Sequence, residues 1–160
     1  MSSTVQTSTR LDSWIAFLRS HSAITRQLNA DLLAAHGLTL NDYEVLLHLS
    51  RAEYQMMRRV DLAESVVLTA SGITRLLDGL EQAGFVEKHS CATDARVSYA
   101  KVTDAGIRKL RAASTTHLQG IDDLFVGRFT ESELESLAAL LGRLPLRGKD
   151  CDGGERACGA

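Results

Sequence analysis

The sequence has little proline, little cysteine and no long apolar run. Proline occurs once in 160 residues, and although 44% of the chain is hydrophobic, no apolar stretch approaches the ~18 residues that a membrane span requires. The first ten residues, MSSTVQTSTR, lack the apolar core of a secretory signal. Together these absences predict a cytosolic protein. Three cysteines, Cys91, Cys151 and Cys158, are an odd number for a disulfide framework, and two of them lie in the tail. The five histidines, His21, His36, His48, His89 and His117, show no i, i+4 pairing and no neighbouring cysteine at zinc-finger spacing, so no metal or other cofactor is expected. There is no Ser-His-Asp or Cys-His arrangement, no paired-carboxylate site and no glycine-rich phosphate loop, which argues against an enzyme. No internal repeat is visible.

The length suits one domain, or one domain with an appended helical module. Net charge is −2, which does not advertise a nucleic-acid binder, but its distribution is uneven. Residues 51–111 hold ten Lys and Arg against eight Asp and Glu. A weakly basic middle between acidic ends permits binding to nucleic acid without demonstrating it.

Taken in order, residues 1–8 are rich in Ser and Thr and are expected to be disordered. A long helix is expected from Thr9 to about Ala35, stopped at Gly37, with Leu11, Trp14, Ile15, Leu18, Ile24, Leu28 and Leu32 as its apolar positions. A helix of that length in a small domain tends to leave its own core and meet a partner chain. Thr39 with Asp42 resembles a helix start, followed by Tyr43, Leu46, Leu47 and Leu49. Met57 to Val60 suits a short strand or an extended entry. Asp61 can cap a brief helix to Val66, and Val67 to Thr69 form a tight turn.

The stretch Leu68 to Gly106 is the most informative. Thr69 can cap a helix from about Ala70. Ile73, Leu76, Leu77 and Leu80 fall at i, i+3, i+4 and i+7, one apolar stripe. Ser71, Thr74, Arg75, Asp78 and Gln82 form the opposite, polar face, and Gly84 ends the helix. Alternation from Phe85 to His89, a polar turn from Ser90 to Arg96 and a run from Val97 to Val102 read as a hairpin. A short helix, a tight turn and a longer helix with an exposed polar face match helix-turn-helix spacing. Such a helix can enter a DNA major groove while the hairpin reaches phosphates or the neighbouring minor groove. The same pattern also fits a helix and hairpin that merely pack, with solvated polar faces. Thr103 then caps a helix to about Arg128, with Ile107, Leu110, Leu118, Ile121, Leu124 and Phe125 on one side. Thr130 and Glu133 form a capping box before a last helix carrying Leu134, Leu137, Ala138, Leu141 and Leu144, which Pro145 ends. Residues 145–160 have little to bury and are expected to be disordered.

These residues resemble the MarR family of bacterial transcriptional regulators over about Leu11 to Leu144. The most specific piece is Asp94-Ala95-Arg96 followed by a strand ending Val102-Thr103 and by Gly106. Ser71 to Leu76, Leu80-Glu81, Gly84-Phe85-Val86, Asp61-Leu62-Ala63 and Tyr43 to Leu46 also fit. Ala95 stands where the family often has arginine, which removes one phosphate contact, and Val102 replaces a leucine. The resemblance implies a mainly α fold with a small β-hairpin wing: a winged helix-turn-helix over 39–103, with dimerisation helices over 9–37 and 104–144. It further implies a homodimer in the bacterial cytoplasm that binds an inverted repeat in double-stranded DNA. Family members commonly act as repressors released by a small aromatic or anionic effector, or by oxidation.

The candidate DNA-binding residues follow. Ser71, Thr74 and Arg75 project from the first two turns of the recognition-type helix, where Arg75 can contact guanine or phosphate. Thr69 and Ser71 can serve phosphate together with the free N–H groups of the helix start. Arg58 and Arg59 either touch the DNA backbone or keep an exposed strand soluble. By the resemblance, Arg96 is the wing arginine that enters the minor groove, where a narrow groove favours a guanidinium, and Asp94 holds the turn or the arginine itself. Trp14, first a dimer-core residue, and His48 are the candidates for lining an effector pocket. Cys91 reads as an incidental thiol, with a redox-sensing regulator as one alternative and a winged-helix module that binds protein as another.

Overall fold

The computed structural model describes residues 3–66, 68–90 and 98–144. Along them run α1 (Ser3–His36), α2 (Leu40–Arg51), β1 (Met56–Arg58), α3 (Arg59–Ser65), α4 (Ala70–Gln82), β2 (Val86–Ser90), β3 (Ser98–Val102), α5 (Asp104–Leu124) and α6 (Glu131–Leu141). The strands form one antiparallel sheet in the order β1-β3-β2. Val86 faces Val102 and Arg58 faces Tyr99 across the two ladders. The result is the mainly helical, winged arrangement expected, with long helices before and after it.

Threonine starts four of the helices. The hydroxyls of Thr39, Thr69, Thr103 and Thr130 accept from the N–H groups of Asp42, Gly72, Gly106 and Glu133, each three residues on. Each such cap contributes about 1 kcal/mol. At Thr39 the Asp42 carboxylate returns the bond, accepting from the Thr39 N–H at 2.8 Å, so aspartate completes the box in place of the usual glutamate. Gly84 closes α4 at φ 75° and Gly37 follows α1 at φ 65°, conformations that favour glycine.

The core is built around α2. Val45, Leu46 and Leu49 are fully buried against Leu32 of α1, Leu62 of α3, Leu77 of α4 and Ala113 of α5. The apolar stripe of α4 behaves as its spacing predicts, with Ile73, Leu77 and Leu80 buried. Packing of α3, α4 and β3 on α2 holds the polar face of α4 outward. The C-terminal half of α1 packs on α5, with Leu28 and Leu32 buried. Residues 11–20, by contrast, are all exposed, and α6 buries no residue. Among the described residues of one chain, neither segment has a partner covering its apolar side.

Several boundaries differ from expectation. The first helix starts at Ser3, inside the stretch expected to be disordered, because no glycine or proline interrupts it before His36. Its 34 residues span about 51 Å at 1.5 Å per residue. The short strand is Met56–Arg58 and it pairs with β3, so the sheet has three strands where a two-stranded hairpin is expected. Arg59 and Val60 already belong to α3, and Asp61 is in its first turn without capping it. The fifth helix stops at Leu124, since Phe125 leaves helical geometry (φ −134°, ψ −69°) before a 3-10 turn over Val126–Arg128. Leu118, expected on the apolar side, is 62% exposed. The expected tail, 145–160, lies outside the described residues, as does Val67 of the turn before α4.

Candidate nucleic-acid interface

The first turns of α4 carry the exposed polar groups. Thr69 uses its hydroxyl oxygen on the Gly72 N–H at 3.1 Å and lies 3.2 Å from the Ser71 hydroxyl. Thr74 is exposed and donates its proton to the Ala70 carbonyl at 2.8 Å, which leaves its oxygen able to accept. Arg75 is exposed and pairs with no acid among the described residues. Ser71, Thr74 and Arg75 thus sit together on one face, as the spacing predicts.

Among the described residues, Lys88 and Lys101 are engaged within the protein. Lys88 of β2 donates to Asp78 at 2.9 Å and reaches Glu81 at 2.8 Å, both on α4. These two carboxylates hold the lysine above its ordinary pKa, Glu81 most strongly. Lys101 lies 3.6 Å from Glu87, its register partner across the ladder. Neither pairing is read from the sequence, since each joins two different elements. The signal that finds the first is Asp78 and Glu81 at i, i+3 on the α4 face turned toward β2.

Arg58 and Arg59 do not present the two free guanidinium groups that an exposed basic strand offers. Arg58 meets Asp61 through two bonds, Nε to Oδ2 at 2.6 Å and Nη2 to Oδ1 at 2.8 Å, and these raise its pKa. Arg59 is half-buried at the start of α3, with Nη2 buried and unpartnered. Asp94 and Arg96, the wing pair, and Cys91 lie outside the described residues.

Trp14 and His48 are not brought together. Trp14 stands on the exposed N-terminal half of α1, its ring 6.2 Å from that of Phe17, whereas His48 is half-buried on α2. A shallow cleft of about 380 Å³ between α1 and α5 contains neither. Its lining includes Asp31, Thr116, Gln119 and Asp123, an acidic surface that does not complement an anion.

Where α1, α2 and α5 meet, a polar cluster replaces pure packing. His36 Nε2 lies 2.8 Å from the Thr116 hydroxyl, and the Tyr43 hydroxyl lies 3.2 Å from that of Ser114. The His117 ring tilts against Tyr43 at 4.4 Å, and its Nδ1 is buried with no partner. Burial lowers the pKa of His117, and burial followed by the charge of Arg51 lowers that of His48. In the unfolded chain both take up a proton as pH falls through their ordinary value of 6.5, while the folded chain resists. Stability is therefore full above that pH and is lost as pH falls below it. Melting followed by circular dichroism should show a lower midpoint at about pH 5.5 than at about pH 7.5, both inside the range where histidine titrates. His117→Gln should flatten that dependence; an equal slope in this variant assigns the effect elsewhere.

A family model described as "MarR family" matches residues 36–97. HTH-type transcriptional regulator MhqR of Bacillus subtilis is 27% identical over 136 residues, covering 85% of this chain and 91% of that protein. The crystal structure of AbsC, a MarR family transcriptional regulator from Streptomyces coelicolor, superposes with a TM-score of 0.77. It is 30% identical, and the match covers 83% of this chain and 89% of AbsC. Sco3205 of the same organism, a MarR family regulator crystallised with DNA, gives a TM-score of 0.80 at 22% identity, covering 84% of each chain. The family model matches the region between the long helices, the AbsC match extends over most of the chain at 30% identity, and the chain belongs to the MarR family of transcriptional regulators.

Proposed function

We propose that the protein is a homodimeric repressor that binds an inverted repeat in double-stranded DNA through the exposed face of α4. The observation that carries this reading is the contrast on that face. Arg75 is exposed beside Ser71 and Thr74 and pairs with no acid among the described residues, while Lys88, Lys101 and Arg58 are paired with acids close by in the fold. An exposed guanidinium beside two hydroxyls suits a guanine edge or a phosphate. Thr69 and the helix start favour phosphate. In this reading Arg96 enters the minor groove beside them, with Asp94 holding its turn. The fold supports it, since Sco3205 was solved in complex with DNA. Two copies present two α4 helices, which enter successive major grooves about one helical turn apart. The exposed apolar faces of α1 and α6 supply the dimer contact. An effector that releases the DNA binds the two lobe arrangements with different affinity. The protein works in the cytoplasm.

The test is selection of duplexes from a random pool by the purified protein, followed by anisotropy titration. An inverted repeat should emerge, and Arg75→Ala should weaken binding by about 1–3 kcal/mol and relax the base preference at one position of each half-site. Selection that enriches nothing, by a protein that instead captures a defined protein partner through α4, would replace this reading with the protein-binding one.

A further inference from the structure

Thr103 uses its hydroxyl differently from the other three helix-starting threonines. The hydroxyl protons of Thr39 and Thr130 go to the acid of their own capping box, and the hydroxyl of Thr69 lies against Ser71. Thr103 instead donates to the Gly84 carbonyl at 2.7 Å, nineteen residues back, while its oxygen accepts from the Gly106 N–H at 3.1 Å. Its backbone N–H donates to the Phe85 carbonyl at 3.0 Å, and its own carbonyl accepts from the Ile107 N–H at 2.9 Å. Gly84 and Phe85 are in turn bonded to the last turn of α4, with the Gly84 N–H donating to Glu81 and the Phe85 N–H to Leu80, each at 2.9 Å. A continuous chain of bonds thus runs from the end of α4 through Thr103 into the first turn of α5.

The joint is also closely packed. A Cβ on Gly106 would lie 2.2 Å from the Phe85 carbonyl oxygen, so that carbonyl is seated directly on the helix start. The Lys109 ammonium lies 5.7 Å from the Phe85 ring, one turn further along α5. From there α5 passes to α2 and then to α1, the layer that carries the unpartnered apolar face.

We propose that Thr103 is a positioning residue for DNA recognition: its hydroxyl fixes the end of α4 on the start of α5. The direction of α5 then sets where α4 sits, and with it the half-site spacing that the dimer accepts. This rests on the DNA-binding reading above. Capping α5 needs only an acceptor, which aspartate supplies as well as threonine does. The link to Gly84 needs a donor, which a carboxylate lacks. Thr103→Asp therefore keeps the cap and breaks the link, while Thr103→Ser keeps both.

The experiment uses the full chain and the selected repeat, with its spacer lengthened or shortened by one and two base pairs. Each base pair moves a half-site by roughly 3.4 Å and turns it by roughly 34°. Wild type and Thr103→Ser should prefer one spacing. In Thr103→Asp the ratio between best and neighbouring spacings should fall by about two- to twelvefold, the range to which one hydrogen bond's contribution converts. A uniform loss of affinity from the added charge leaves that ratio unchanged. A second readout needs no DNA: the distance between spin labels on Gln82→Cys and Arg111→Cys, in a background with the three native cysteines changed to serine. Labelled chain is diluted in unlabelled chain, so that each dimer carries one labelled pair. The distribution should be narrow in wild type and Thr103→Ser and broad in Thr103→Asp. Unchanged spacing ratios with unchanged distances overturn the role of Thr103 and leave DNA binding standing. Wild type that binds no duplex, with distances that broaden as expected, overturns the DNA-binding reading and with it the recognition role of Thr103.

Discussion

Glutamate at both Leu18 and Leu140 should convert the protein to monomers and lower its affinity for the inverted repeat by about 10²- to 10⁴-fold, the scale of lost bivalency. Leu18 is 44% exposed and Leu140 is 58% exposed in a single chain, and they are not isolated. Leu11, Trp14, Ile15 and Phe17 are exposed on α1, and Leu144 is exposed just past the end of α6. Burying one such side chain fully contributes roughly 1.5–3 kcal/mol. Leaving this many in water on a 34-residue helix has no explanation within one chain. A partner copy supplies one. A charge inserted into that contact carries its desolvation cost into the interface. Neither residue packs in the lobe, so each monomer should keep its helical circular dichroism. Sedimentation velocity reads the assembly and anisotropy the affinity. A variant that stays dimeric, or a monomer that binds as tightly as wild type, contradicts the dimer contact.

The largest effect on stability is expected at Gly106. An alanine there places its Cβ 2.2 Å from the Phe85 carbonyl oxygen and 2.7 Å from Val102 Cγ2. The first of these neighbours is backbone, held by the Thr103 N–H, so it cannot turn aside as a flexible side chain does. Either α5 or the β2 connection must move, which places the loss near the upper end of overpacking, about 3 kcal/mol. For a chain of this size that lowers the melting midpoint by roughly 6–12 °C. Gly79 is the matched control. It lies in the interior of α4 with nothing within 4 Å of an added Cβ. Gly79→Ala should therefore stabilise by about 0.5–1 kcal/mol, because alanine loses less backbone entropy than glycine in a helix. Paired melts read both signs. A Gly106→Ala midpoint equal to wild type would mean that the seat of Phe85 on α5 is slack.

How far the sequence carries depends on the kind of signal. Helix starts are legible because a cap is local: Thr39, Thr69, Thr103 and Thr130 all begin helices as predicted, Thr39 and Thr130 with the acid three residues on completing the box. The α4 stripe is legible for the same reason, since Ile73, Leu77 and Leu80 fall on one face by periodicity alone. Strand β1 is less so. Three residues of extended chain carry no period, and only pairing with Tyr99, Ala100 and Lys101 makes them a strand. The break at Phe125 is missed because apolar residues continue across it, and Gly127, two residues on, is the one signal that marks it. At the candidate interface, residue types on α4 are readable, but the charge actually available is not. Lys88 and Arg58 look like free cations until their carboxylate partners are seen across the fold or one helical turn away. The tie from Thr103 to Gly84 is hidden likewise, since it spans nineteen residues. Long-range pairing, not local propensity, is what separates the two lists.

The central claim is that the exposed face of α4 meets duplex DNA as one half of a dimer. The most direct measurement is the salt dependence of wild-type binding to the selected inverted repeat, with an unrelated duplex as competitor. If the dimer neutralises ~6–10 phosphates, log affinity should fall against log salt with a slope of about −5 to −9. Arg75→Ala should weaken binding, and the slope should become shallower if Arg75 contacts phosphate. A flat salt dependence, or equal affinity for repeat and competitor at every salt concentration, contradicts the account.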